Sequence, residues 1–227
     1  MDFDPLWKIK SSYSKGIFSN ELYSLITNRY QIVQDGINHI YDITKIKFPV
    51  CHVEPFIILS TSPTDIGKYG LIFARTMPIV YKNELMITIR LCAPLIAFGS
   101  NNSIKGVLVH EFLHYINLVD KIINMNIISD NLSSSIYENS FSDFLNIYNP
   151  EKIFQKNLSL VEYMSETFSK GFKDSLLEKK SVHEWLDQKL PTKIICLDNN
   201  NIRIPIELIS KFKPDKVLEN VLLSLKK

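Results

Sequence analysis

A chain of 227 residues is long enough for one domain with a substantial hydrophobic core. A formal net charge of +2 gives no basic field that would point to nucleic acid as a partner, and no window approaches the about 18 uninterrupted apolar residues of a membrane span. Three scattered cysteines, Cys51, Cys92 and Cys196, argue against a disulfide framework and for a reducing, cytoplasmic setting.

In chain order, the opening MDFDPLWKIK is acidic at its start and lacks the apolar run of a secretory signal. Residues 19 to 45 carry helical spacing, with Leu22, Leu25, Ile26, Ile32, Val33, Ile37 and Ile40 recurring every three or four positions. From Phe48 the character changes. FIILS from Phe56, LIFARTMPIV from Leu71 and ELMITIRLC from Glu84 are β-branched and aromatic runs, the last two predicted as a hairpin. Ser103 then offers an N-cap for a helix over 104–125.

Beyond Met125 the pattern is mainly helical. SSSIYENSFSDFL from Ser133 and LSLVEYMSETFSKGF from Leu158 are two helix candidates, and SVHEWLDQKL opens with a capping box, Ser181 to Glu184. TKIICLDNNNIRIP from Thr192 predicts a small hairpin, and Pro214 the first turn of a closing helix. The order of helices, strands and helices again predicts an α+β protein of two lobes within a single catalytic domain over 1–227. An N-terminal helical segment (1–48) precedes a strand-rich lobe (49–128) and a mainly helical C-terminal lobe (129–227).

One stretch carries chemistry. In VLVHEFLHYINLVD, starting at Val107, His110 and His114 lie one turn apart on the same helix face, so their imidazoles can converge on one metal ion. Glu111 projects beside them, where a carboxylate can take a proton from an activated water. No charge interrupts the helix around these residues. Val109, Leu113, Ile116 and Ile123 form a core stripe that leaves the histidines at its edge, beside a cleft.

The uncharged flanks of this His-Glu-x-x-His run resemble the longer pattern of the zincin metallopeptidases. A hydrolytic zinc site needs a third protein ligand, and two segments offer one. The local choice is Asp120, at the place of the last ligand in the metzincin pattern HExxHxxGxxH/D. It needs the helix to break at Asn117, because a continuous helix points Asp120 about 80° away from His110. The distant choice is Glu162 in VEYMSETF, beside a stripe of Leu158, Val161, Met164, Phe168 and Phe172. That segment resembles the gluzincin helix, NExxSD in thermolysin-like enzymes, with Val161 in place of Asn and Glu166 in place of Asp. The resemblance implies Glu162 as zinc ligand and Glu166 as the acceptor that orients a ligand histidine.

The resemblance as a whole implies a zincin-like fold, with a small mixed sheet on the active-site helix, and a zinc metallopeptidase binding one Zn2+ per chain. In that chemistry the metal polarises the scissile carbonyl, and Glu111 takes the water proton and delivers it to the leaving amine. The strand before the catalytic helix, ELMITIRLC, is expected at the rim of the cleft, where an extended peptide substrate can pair with it. Tyr137, Tyr148, Tyr163 and His183 are candidate donors to the developing oxyanion. The N-terminal helices, which the family core does not require, are a candidate cover for the cleft. The rival expectation is a catalytically inactive zincin-fold protein that binds peptides or serves structure.

Overall fold

The computed structural model describes residues 4–61, 69–123, 153–154, 157–168, 174–196 and 204–225. Two helices open the chain, α1 (Trp7–Ser14) and α2 (Asn20–Thr44). Ser19 caps α2 by accepting from the backbone N–H of Leu22 at 3.2 Å, and Lys45, at φ 56°, ends it in the left-handed region. The buried residues Ile26, Tyr30, Val33, Gly36 and Ile40 repeat at helical spacing, as the sequence predicts.

Five strands follow: β1 (Val50–Glu54), β2 (Ile57–Thr61), β3 (Tyr69–Ile72), β4 (Ala74–Tyr81) and β5 (Glu84–Cys92). They divide between two mixed sheets. In one the order is β1-β5-β4, with β1 parallel and β4 antiparallel to β5. The β4–β5 hairpin turns on Lys82 and Asn83, at φ 48° and 65°, the two positive values that a two-residue type I′ turn requires. In the other the order is β3-β2-β6, where β6 (Thr192–Cys196) returns from far along the chain to lie parallel to β2. The segment 192–196 is thus a strand of a parallel pair and not the first arm of a local hairpin. Residues 197–203 lie outside the described residues.

Helices α3 (Ala93–Phe98) and α4 (Asn101–Ile123) come next. The cap of α4 lies three residues before the expected one: the backbone N–H of Ser103 donates to Ser100 Oγ at 3.0 Å. Ser103 instead donates its hydroxyl to Asp174 at 2.6 Å, the residue that also caps the later helix α6 (Ser175–Ser181) through Leu177 N–H at 2.9 Å. That helix starts before the Ser181–Glu184 box, which falls in a π-helical turn, Val182–Leu186, around the fully buried Trp185. Helices α5 (Leu158–Phe168), α7 (Ile206–Lys211) and α8 (Lys216–Leu225) complete the described elements.

α4 is buried on nearly every side, the mark of a core helix. It lies against β4, with α2 and α5 on its other flanks. Two glycines allow these approaches. A Cβ on Gly36 of α2 would stand 2.7 Å from a Leu108 methyl, and one on Gly106 of α4 would stand 2.6 Å from the Tyr163 carbonyl oxygen of α5. One hydrophobic cluster runs from Ile9 and Ile26 through Val109 and Phe112 to Leu160 and Leu222. The N-terminal helices are therefore part of the core and not a detachable cover. The architecture is mixed α+β, and among the described residues no helix is long and apolar enough to cross a membrane.

Candidate metal and active site

His110, Glu111 and His114 all fall on α4 and all turn inward, at 6%, 2% and 4% exposure. The sequence stripe places the histidines at an edge facing a cleft. The structure covers that edge with α5, whose Phe168 ring stacks on the His110 imidazole at 4.2 Å between centroids. The Nε2 atoms of His110 and His114 face one another at 2.8 Å, so one ring donates and the other accepts. Burial pushes His110 down to about 4 and His114 well below the ordinary histidine range, the latter with help from the neighbouring His110 and Lys121. Both rings are neutral at neutral pH, the state that binds a metal.

Two imidazole nitrogens on a tetrahedral zinc, each at about 2.0–2.1 Å, stand about 3.3 Å apart. The observed pair would part by about 0.5 Å to take such an ion, within the reach of a small side-chain adjustment. In donor chemistry and convergence the two histidines fit a divalent ion.

Glu111 points to the sheet side. Thr76 of β4 places its Oγ1 2.7 Å from Glu111 Oε2 and 2.9 Å from the Glu111 backbone carbonyl oxygen. Burial raises the carboxyl to about 7, against the opposing pull of the Thr76 bonds and the Arg75 charge. A carboxyl so placed is poised to hold or release a proton near neutral pH.

The remaining expected site residues lie elsewhere. Asp120 is on an uninterrupted α4 that runs through Asn117 to Ile123, so the break that would bring it to the histidines is missing; it lies about 15 Å along the axis from His110. Glu162 is exposed on α5. Glu166, expected to orient a ligand histidine, accepts instead from Asn102 at 3.3 Å, about 12 Å along α4 from His110. Among the described residues no group of three His, Cys, Asp or Glu side chains is close enough to hold a metal ion, so neither glutamate is brought to the histidine pair.

Of the oxyanion candidates, Tyr137 and Tyr148 lie outside the described residues. Tyr163 sits under the Lys105 ammonium at 5.1 Å, and His183 is exposed beside Asp187 at 3.1 Å. The rim strand also differs from expectation. β5 is the central strand of its sheet, paired on both sides, and the antiparallel strand at the margin is β4. Compared with family models, with curated proteins and with solved structures, the chain gives no match.

Sequence reasoning missed two side chains that shape the site. Thr76 is one threonine in an alternating strand, and nothing in its local pattern marks it. Phe168 reads as one member of an apolar stripe, and only the crossing of α5 over α4 sets its ring on His110.

Proposed function

We propose that the chain is a zinc-dependent hydrolase of peptide bonds, a zincin-like metallopeptidase of gluzincin type, with His110 and His114 as metal ligands and Glu111 as general base. The observation that carries this reading is the convergence of the two Nε2 atoms at 2.8 Å, one turn apart on a buried helix, beside a carboxyl held near 7. A bound Zn2+, one per chain, supplies Lewis acidity toward a carbonyl and lowers the pKa of water.

The protein's own groups do the rest. Burial keeps the lone pairs of His110 and His114 available. Glu111 takes the proton of the attacking water on its carboxylate and hands it to the departing amine, returning to its starting form. The mixed sheet against α4, with an antiparallel strand at its margin, supports a zincin-like arrangement in which an extended peptide lies along that strand. Glu162 is the third ligand in this reading, with Glu166 behind it, and both must turn from their present positions on α5 toward the pair.

The rival, an inactive zincin-fold protein that binds peptides or serves structure, draws on one observation: the two histidines already satisfy each other within the core. Zinc content after reconstitution, measured by elemental analysis on wild type, His114→Ala, Glu162→Ala and Asp120→Ala, tests both. The expected result is one zinc per chain, lost with His114→Ala and Glu162→Ala and kept with Asp120→Ala. Glu111→Gln should keep zinc and lose at least about 100-fold in turnover on a peptide library. A wild type that binds no zinc sinks the hydrolase; one that binds zinc but turns nothing over leaves the rival standing.

A further inference from the structure

We propose that Thr76 is the positioning residue for Glu111, its hydroxyl fixing carboxylate oxygen Oε2 and so holding the carboxyl in one direction for proton transfer. This rests on the reading of Glu111 as general base.

Both groups are buried, Thr76 at 9% and Glu111 at 2%, so the bond between them does not compete with bulk water. Thr76 meets the carboxylate with its hydroxyl, at Oε2, and with its backbone N–H, both of which favour the ionised form. A glutamate side chain has three rotatable bonds, and without the hydroxyl the Thr76 backbone N–H has to direct its carboxyl with one donor fewer. Thr76 itself is held rigid. Its backbone lies in β4, in register with Ile89 of the central strand, and a β-branched side chain has restricted χ1 freedom. The sheet thereby sets the direction of a base carried on a helix.

The hydroxyl also has two acceptors and one hydrogen. The Glu111 carboxylate at 2.7 Å and the Glu111 main-chain carbonyl at 2.9 Å both lie within reach. Whichever of the two it meets, the hydroxyl ties Glu111 to the same point on β4.

Thr76→Val keeps shape and strand preference but removes the hydroxyl, and Thr76→Ser restores the hydroxyl without the methyl. Two readouts decide the matter on the full chain. The first needs no metal or substrate: the side-chain carboxyl 13C resonance of Glu111, assigned by its loss in Glu111→Gln. It should be single and sharp in wild type and Thr76→Ser, and shifted or broadened in Thr76→Val. The second is hydrolysis: Thr76→Val should lower kcat by about 10- to 100-fold with KM and zinc content within about twofold, and Thr76→Ser should recover most of the loss. A Glu111 resonance in Thr76→Val that superposes on wild type overturns the proposal, and so does a Thr76→Ser variant as impaired as Thr76→Val. If wild type binds zinc and hydrolyses nothing, the hydrolase reading falls while the resonance still decides whether Thr76 holds Glu111.

Discussion

The imidazole of His110 lies flat against the ring of Phe168, with centroids 4.2 Å apart and planes 10° from parallel. The contact ties the end of α5 to the motif on α4 and limits the directions the ring can take. Phe168→Ala frees the imidazole and admits water to it. Zinc affinity is expected to fall about 10-fold, read by competition with a chelator, with Phe168→Leu intermediate. Unchanged affinity in both variants would reduce Phe168 to a space-filling role.

Gly106 governs the same interface one turn earlier. A methyl group there meets the Tyr163 carbonyl oxygen at 2.6 Å and the Thr167 side chain, and backbone cannot move aside as a flexible side chain can. Gly106→Ala should destabilise the fold by about 1–3 kcal/mol, despite the better helix propensity of alanine. Urea denaturation of the variant beside wild type measures it; a gain in stability would mean that the two helices pack less closely than described.

Arg29 of α2 donates its Nε to the Ile96 carbonyl at 2.7 Å and Nη2 to the Gly99 carbonyl, gripping the end of α3 just before α4 begins. Arg29→Met keeps the apolar stem and loses both bonds. The expected loss is about 1.5–3 kcal/mol, and Arg29→Lys should recover only part, because an ammonium cannot reproduce the planar fork. The midpoint of thermal or urea unfolding reports the difference.

Acid sensitivity should centre on Glu54. Burial alone would raise its carboxyl, but bonds from His52 at 3.0 Å and Lys8 at 2.5 Å, with the Lys8 charge, outweigh it and hold the group down to about 2. A carboxyl with a lowered folded value stabilises fully above its ordinary 4.5 and loses that contribution as pH falls through about 2. The stability gap between wild type and Glu54→Gln is therefore expected to be constant above pH about 5 and to close toward pH about 2. A gap that widens on acidification would reverse the assignment. Urea midpoints across that range test it.

The elements legible in the sequence were those whose pattern is local. The apolar spacing of residues 19–45 matches α2, the run from Glu84 matches β5, and the turn between β4 and β5 lies where YKN separates two strand-like runs. The His-Glu-x-x-His segment put two imidazoles on one face because helix geometry leaves no other outcome, and they converge. Strand order was not legible. Whether β5 is central or marginal depends on β1 arriving parallel to it, which the alternation within ELMITIRLC does not encode. The direction of Glu166 was hidden for a similar reason. Its partner Asn102 is 64 positions away, and the spacing of glutamates on one helix says nothing about where a second helix crosses it.

The parallel pairing of β2 with β6 has a consequence for the order of assembly. Thr61 and Ile195, which bond across that pair, are 134 positions apart, whereas β1, β4 and β5 all lie within Val50–Cys92, separated from α4 only by the short helix α3. Closing so long a loop costs conformational entropy before any contact repays it, so the sheet containing β6 should form late and slowly. On a ribosome, the strand carrying Thr76 and the helix carrying His110, Glu111 and His114 emerge together, long before residue 192 is made. The histidine pair can be assembled on a half-built protein, and β2 waits with an open edge for β6 to arrive.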